Sequence, residues 1–106
     1  MSDVKPLRKI KSFVKRSGRL SKAQAIGLNE LWNDYGINLN GKLLNFEELF
    51  LHQNNLTLEV GFGNGDSLLE TAIHQPNQNF LGIEVYEAGV GRLINEANKN
   101  QLVNLK

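Results

Sequence analysis

The apolar positions of the chain alternate between strand-like runs and helix-like periods. Residues 56–60 and 79–85 are short apolar runs bounded by turn-forming residues, which is typical of strands buried on both faces of a parallel sheet. Residues 66–75 and 87–100 repeat their apolar positions every three or four residues, which predicts two amphipathic helices. This order predicts an α/β fold built on a right-handed parallel βαβ arrangement. The core positions predicted on the two helices are Leu68, Leu69, Ala72, Ile73, Val90, Leu93, Ile94 and Ala97.

Further elements are predicted on either side of this unit. An N-terminal helix is expected over residues 22–35, because Ser21 and Gln24 have the spacing of a capping box. Residues 46–51 are expected to form a short helical turn that covers the sheet, and residues 102–106 to begin a third strand. The helix-forming positions of the first segment are Leu28, Leu31, Trp32 and Tyr35, with Gly36 suited to its C′ position.

The composition is that of an ordinary globular domain. The 106 residues are 41% hydrophobic and 22% charged, and a chain of this size allows one domain. The chain has no cysteine, which excludes a disulfide scaffold and a cysteine-ligated zinc or iron–sulfur site, and we predict no metal site. No apolar run approaches the ~20 residues that span a bilayer, and no apolar signal core follows the basic N-terminus. We therefore expect a cytoplasmic protein with no membrane partner.

The basic residues are concentrated at the N-terminus. Residues 1–22 contain eight of the twelve lysines and arginines and one acidic residue, Asp3, whereas the rest of the chain has four basic and ten acidic residues. Because Lys and Arg neutralise phosphates and release counterions, this asymmetry predicts a polyanionic partner. We interpret residues 1–19 as a flexible basic arm that binds nucleic acid; the alternatives are a solvated tail and a membrane surface. The candidate RNA-binding residues are Arg8, Lys15, Arg16, Arg19 and Lys22.

A glycine-rich turn between the first predicted strand and the next helix is the main candidate for chemistry. Gly61, Gly63 and Gly65 occupy alternate positions there, where missing Cβ atoms let a ligand approach the backbone. This is the position of a nucleotide cofactor at the carboxyl edge of a parallel sheet. Glu84 ends the next strand about 20 residues later, where a carboxylate can accept hydrogen bonds from both ribose hydroxyls. The alternative is a purely geometric turn beside a solvated carboxylate.

The residues around the glycines favour one cofactor over another. A dinucleotide fingerprint places its third glycine three positions after the second, but that position is Asp66 here. Glu59 stands two residues before the first glycine, where it would repel a pyrophosphate and attract a cation. S-adenosylmethionine has no phosphate and carries an ammonium and a sulfonium. It therefore fits this turn better than NAD does.

Three segments resemble the bacterial tRNA (guanine-N7-)-methyltransferase family. Residues 12–24 are similar to the N-terminal signature of that family, and residues 58–65 are similar to its cofactor motif. Residues 79–85, followed by the glycines of residues 89–91, resemble its second strand and next helix. The phenylalanine between two glycines, Phe62, and the strand end at residues 82–85 make the resemblance narrower than one to methyltransferases in general.

The resemblance implies a class I, Rossmann-like methyltransferase fold and transfer of a methyl group from S-adenosylmethionine to guanine N7 in the variable loop of tRNA. It implies a cofactor site in which Glu84 binds the ribose, and it assigns tRNA contacts to the basic arm with Arg16 and Arg19. The predicted cofactor-binding residues are Glu59, Gly61, Phe62, Gly63, Gly65 and Glu84.

The family continues through further strands that this sequence does not contain. We therefore interpret residues 20–106 as the N-terminal part of a single S-adenosylmethionine-binding domain, expect the catalytic residues beyond Lys106, and assign none here. The chain alone is expected to be an inactive part of the enzyme that self-associates through open sheet edges. The alternative function is a small RNA-binding module whose glycine turn is purely structural.

Overall fold

The computed structural model describes residues 19–106, which form five helices and two strands. Most of the basic arm, including Arg8, Lys15 and Arg16, lies outside these described residues. The predicted order of strand, helix, strand and helix from residue 56 onward is confirmed. The elements are α1 (Lys22–Asn29), α2 (Trp32–Tyr35), α3 (Phe46–Leu49), β1 (Leu56–Val60), α4 (Asp66–His74), β2 (Asn79–Ile83) and α5 (Glu87–Lys99).

The two strands are parallel and in continuous register. Leu56 pairs with Asn79 at one end and Val60 with Ile83 at the other. The predicted third strand is present as a parallel bridge on the far side of β2, where the Phe80 amide donates to Asn104 and the Lys106 amide donates to Phe80. Within the described part of the chain, β2 is therefore central and β1 is an edge strand.

The two strands differ in burial. The first three residues of β2 are buried, but Leu58 is 54% exposed and Val60 is 69% exposed. The apolar pattern of β1 is typical of a strand covered on both faces, and the exposure of Leu58 and Val60 agrees with the expectation that this chain has an open sheet edge. The physical reason is that, among residues 19–106, only β2 pairs with β1, and the sheet face that bears Leu58 and Val60 is left open.

The core lies between the sheet and helices α4 and α5. Phe80 from β2 and Leu105 from the third strand pack there with buried residues of both helices. Five of the predicted core residues are buried: Leu68, Ala72, Leu93, Ile94 and Ala97. Leu69 and Val90 are half-buried, and Ile73, near the end of α4, is exposed.

The predicted N-terminal helix is interrupted. Its capping box is confirmed, since Gln24 N–H donates to Ser21 Oγ and Ser21 N–H donates to Gln24 Oε1. The helix expected over residues 22–35 nevertheless ends at Asn29 and resumes as α2 at Trp32. The interruption accompanies a tertiary contact, because the hydroxyl of Tyr35 donates to the carbonyl of Leu102 at 3.1 Å.

Gly36 also has a different role from the one predicted. It is not left-handed, as a C′ glycine would be, but extended, with φ −82° and ψ 156°. A Cβ atom at this position would overlap the ring of Trp32. The glycine is required because the indole packs directly on its backbone.

Helices α1 and α5 cross at a glycine contact. A Cβ atom on Gly27 would overlap the carbonyl oxygen of Gly91, and one on Gly91 would overlap that of Gln24. The two backbones therefore touch, which places α1 directly against α5. The expected short turn over residues 46–51 is confirmed as α3, and Phe50 just after it is buried.

Candidate functional site

The glycine turn between β1 and α4 has a backbone that only glycine adopts easily. Gly61, Gly63 and Gly65 have φ values of +76°, +66° and +81°. This left-handed region costs a residue with a Cβ about 1–2 kcal/mol. The alternate spacing of glycines in the sequence therefore follows from three left-handed positions in one turn, and Gly65 is also the N-cap of α4.

The first two glycines leave an open surface. A Cβ atom on Gly61 or Gly63 would meet no heavy atom within 4 Å, whereas one on Gly65 would lie 3.0 Å from the side chain of Leu93. Backbone at Gly61 and Gly63 is therefore accessible to a ligand at the carboxyl edge of the sheet. Gly65 instead lets the turn pack on α5.

Glu84 connects this turn to the segment that follows β2. Its Oε1 accepts a hydrogen bond of 2.6 Å from the amide of Gly63. Its Oε2 accepts from the amides of Val85 and Tyr86, at 2.9 and 3.0 Å. The half-buried carboxylate thus joins the two turns that face each other across the carboxyl ends of β1 and β2.

Glu59 is half-buried near the end of β1, two residues before the turn. Within residues 19–106 no side chain or backbone group forms a hydrogen bond or ion pair with its carboxylate. A carboxylate at this position provides negative charge next to the open glycine backbone, which favours a cationic ligand over an anionic one.

Phe62 lies between the glycines but faces the interior. A Cβ atom on Gly82 would be 2.8 Å from its ring, and the ring packs against the core cluster. The ring of Phe62 therefore anchors the glycine turn to β2 from the side of the core.

Comparison with protein families identifies the segment that contains this site. A family model described as "Putative methyltransferase" matches residues 53–106, which include both strands, the glycine turn and Glu84. The chain belongs to this methyltransferase family. The match disfavours the alternative interpretation of the glycine turn as a purely structural feature of an RNA-binding module.

Curated methyltransferases are similar to nearly the whole chain. Proteins named tRNA (guanine-N(7)-)-methyltransferase from Vibrio parahaemolyticus and Psychromonas ingrahamii are 45% identical over 104 residues and 44% identical over 102 residues. The protein of that name from Buchnera aphidicola is 42% identical over 100 residues. These alignments cover 98%, 96% and 94% of this chain but 44%, 42% and 42% of those proteins. The chain spans less than half the length of the relatives that it matches.

The remaining predicted site residues are distributed between described and undescribed parts of the chain. Arg19 and Lys22 are exposed and flank the N-cap of α1, and the other candidate RNA-binding residues lie outside residues 19–106. In the described part of the chain, no helix is long and apolar enough to cross a membrane. The same part contains no cluster of three or more acidic or histidine residues suited to a metal ion.

Sequence reasoning missed two residues that support the turn from α5. A Cβ atom on Gly89 would overlap the carbonyl oxygen of Gly63, so α5 begins directly against the turn. Arg92 Nη1 lies 2.6 Å from Asp66 Oδ1 and 3.2 Å from the carbonyl oxygen of Asn64. The glycines at residues 89 and 91 were a detectable signal of close packing, but nothing in the sequence indicated the partners of Arg92.

Proposed function

We propose that the chain is the cofactor-binding part of a methyltransferase that acts on guanine N7 of tRNA, with S-adenosylmethionine as the methyl donor. The family match and the names of the similar proteins support this proposal. The observation that carries it is the turn at Gly61 and Gly63, whose backbone is open while acidic residues stand on both sides. Residues 20–106 would form one domain with the part of the relatives that this chain does not cover.

The charge of the site fits the proposed cofactor. S-adenosylmethionine is cationic at its ammonium and sulfonium, and Glu59 would attract this charge across the open backbone of Gly61. A dinucleotide would bring a pyrophosphate next to the same carboxylate, which is unfavourable. We therefore place the methionine end of the cofactor along Gly61, Gly63 and Gly65, over the outer side of the turn that Phe62 anchors.

Glu84 would bind the ribose while it continues to hold the turn. An ionised carboxylate offers about four lone-pair directions, and three of those on Glu84 accept backbone amides. One direction remains at Oε1, beside the bond to Gly63. Glu84 would accept one ribose hydroxyl there, and a second only if a backbone amide were displaced.

The proposed reaction needs positioning more than a strong base. The N7 atom of guanine has a lone pair and no proton to lose. A bond forms between N7 and the methyl carbon as the carbon–sulfur bond breaks, and the electron pair of that bond neutralises the sulfonium. In-line alignment of N7 with that bond accounts for most of the acceleration expected. We assign no catalytic residue among residues 19–106. We propose that the catalytic residues and the target-base pocket lie in the part of the relatives that this chain does not cover.

The proposed substrate gives the basic N-terminus a role. The basic arm at residues 1–19 would bind tRNA phosphates, and the exposed Arg19 and Lys22 would continue this surface onto the start of α1. We propose a cytoplasmic location, where such a substrate is present. We also propose that the chain alone is inactive and self-associates through the open edge of β1.

Titration of the 106-residue chain with cofactors tests the proposal. Amide NMR signals of Gly61 and Gly63 should shift with S-adenosylmethionine, more weakly with S-adenosylhomocysteine, which lacks the sulfonium charge, and not with NAD. The Glu59→Gln variant should reduce the difference between the amide shifts caused by S-adenosylmethionine and by S-adenosylhomocysteine. Glu70→Gln, on the exposed side of α4, should leave this difference unchanged. A response to NAD alone, or to no ligand, would contradict the proposal.

A further inference from the structure

One face of α5 supports the glycine turn residue by residue. Gly89 contacts the carbonyl of Gly63, and Leu93 lies under Gly65. Arg92 lies one turn after Gly89 on this face, because residues three positions apart are neighbours on a helix. The turn therefore contacts α5 from Gly63 to Gly65, and Arg92 provides the polar contact.

Arg92 holds two parts of the turn with one nitrogen. Its Nη1 pairs with the carboxylate of Asp66, the first residue of α4, and donates to the carbonyl of Asn64 at the tip of the turn. The side chain of Arg92 is 37% exposed and that of Asp66 is 73% exposed, so the pair lies at the surface and its strength is modest. Its position matters more than its strength, since it bridges the segment that follows Gly63.

We propose that Arg92 is a positioning residue that holds the Gly61–Asp66 turn in its ligand-accepting conformation. The three left-handed glycines need no Cβ to adopt this conformation, but glycine also samples many other conformations. Fixing Asn64 and Asp66 to α5 lowers this freedom before a ligand binds, which reduces the entropy that binding must overcome. The proposal rests on the proposed function only in its ligand, S-adenosylmethionine.

A surface role in RNA binding is the competing explanation for this arginine. The positive charge of Arg92 is paired with Asp66, and its donor is directed at the backbone of the turn. Lys99 is the contrasting basic residue on the same helix: it pairs with Glu96 one turn away, and among residues 19–106 it forms no hydrogen bond or ion pair with another element. Lys99 therefore provides a matched control for the loss of a surface charge from α5.

Hydrogen exchange of the Gly63 and Gly65 amides measures the proposed role directly. In the 106-residue chain, Arg92→Gln should raise both exchange rates about three- to fivefold, the effect of losing a partly exposed ion pair. Asp66→Asn should act in the same direction, and the double variant should add little to either single change. Arg92→Lys, which keeps the charge, should give an intermediate rate, and Lys99→Gln should leave both rates unchanged.

A titration of the same variants with S-adenosylmethionine separates this inference from the proposed function. Faster exchange accompanied by a similar fold loss of affinity in Arg92→Gln supports the proposal. Unchanged exchange overturns it, whatever the affinity, and so does weaker tRNA binding with unchanged exchange, which would assign Arg92 to the RNA surface. Faster exchange in a chain that shows no cofactor binding would support the role in the turn and overturn the proposed function.

Discussion

Glu84 is the residue on which the geometry of the site depends most directly. Its carboxylate accepts three backbone amides from two turns, so no other described side chain joins as many parts of the site. Sequence reasoning identified Glu84 because acidic residues often end the second strand of such folds. It did not anticipate the bond to Gly63, which depends on how closely the two turns approach.

Replacement of Glu84 by alanine should destabilise the chain as well as weaken cofactor binding. The substitution leaves the amides of Gly63, Val85 and Tyr86 without their acceptor, and we expect it to lower the free energy of unfolding by about 1–3 kcal/mol. Urea denaturation followed by circular dichroism would measure this. Glu70→Ala, which removes an exposed carboxylate from α4, is the matched control. Equal stability of the two variants would show that water replaces the carboxylate at no cost.

Tyr35 should make the stability of the chain sensitive to alkaline pH. Burial of the phenol, and then the charge of Asp34, raise its pKa above the usual value of 10.0. Because the folded pKa is higher than the unfolded one, the stabilising contribution is complete below pH 10.0 and is lost as pH rises through the folded pKa. The hydroxyl that donates to Leu102 is then deprotonated.

Tyr35→Phe provides the comparison for this pH dependence. The difference in unfolding free energy between wild type and variant should be constant below about pH 9 and should shrink above about pH 10. Burial lowers the pKa of the Lys106 ammonium, against the opposing charge of Asp34, but this group is present in both proteins and largely cancels in the difference. A difference that stays constant up to about pH 11 would contradict the prediction.

At the scale of elements, the contact between α1 and α5 connects the N-terminal region to the site. Gly27 and Gly91 allow the two backbones to touch, and the next residue of α5, Arg92, contacts the glycine turn. A displacement of α5 would therefore be transmitted to the turn. The first helix is part of the support of the site in addition to its position next to the basic arm.

Gly27→Ala should separate α1 from α5. The new methyl group would overlap the carbonyl oxygen of Gly91, and overpacking of this kind costs about 1–3 kcal/mol, more than the gain in helix propensity. Thermal unfolding of the variant would measure the loss. Asn29→Ala, at an exposed position of α1, gains propensity without a new contact and should be neutral or slightly stabilising. A variant at residue 27 as stable as wild type would mean that α1 moves freely on α5.

Elements governed by local pattern were predicted well, and those governed by distant contacts were not. The bounds of β1, α4, β2 and α5 follow from apolar periods, glycines and Pro76, so each was placed within two residues. The interruption between α1 and α2 has no proline or glycine at residues 30–31 to indicate it. It accompanies the bond of Tyr35 to Leu102, a residue 67 positions away.

At the scale of the whole molecule, the two edges of the sheet differ. Beside β2 the sheet continues into the third strand, whereas β1 has no second neighbour among residues 19–106. Asn104 connects the third strand to the end of α4: the two N–H groups of its buried Nδ2 are shared among the carbonyl oxygens of Ala72, Gln75 and Gln78, at 3.0, 3.1 and 2.9 Å. This role could not be predicted, because an asparagine in a polar segment is typical of a turn. At the edge formed by β1, the side chains of Leu58 and Val60 are exposed on the same face of the sheet as Ile83 of β2.

The open side should cause copies of the chain to associate. An edge strand with exposed apolar side chains offers both unpaired backbone groups and area to bury, which favours pairing with a second copy. Light scattering over a range of concentrations should therefore give a mass above 11.9 kDa.

Val60→Lys should shift the chain toward the monomer, because a charge on this edge must be desolvated when strands pair. Leu43→Lys, at a fully exposed loop position, should not. A wild-type chain that remains monomeric, or equal effects of the two lysines, would contradict association through β1.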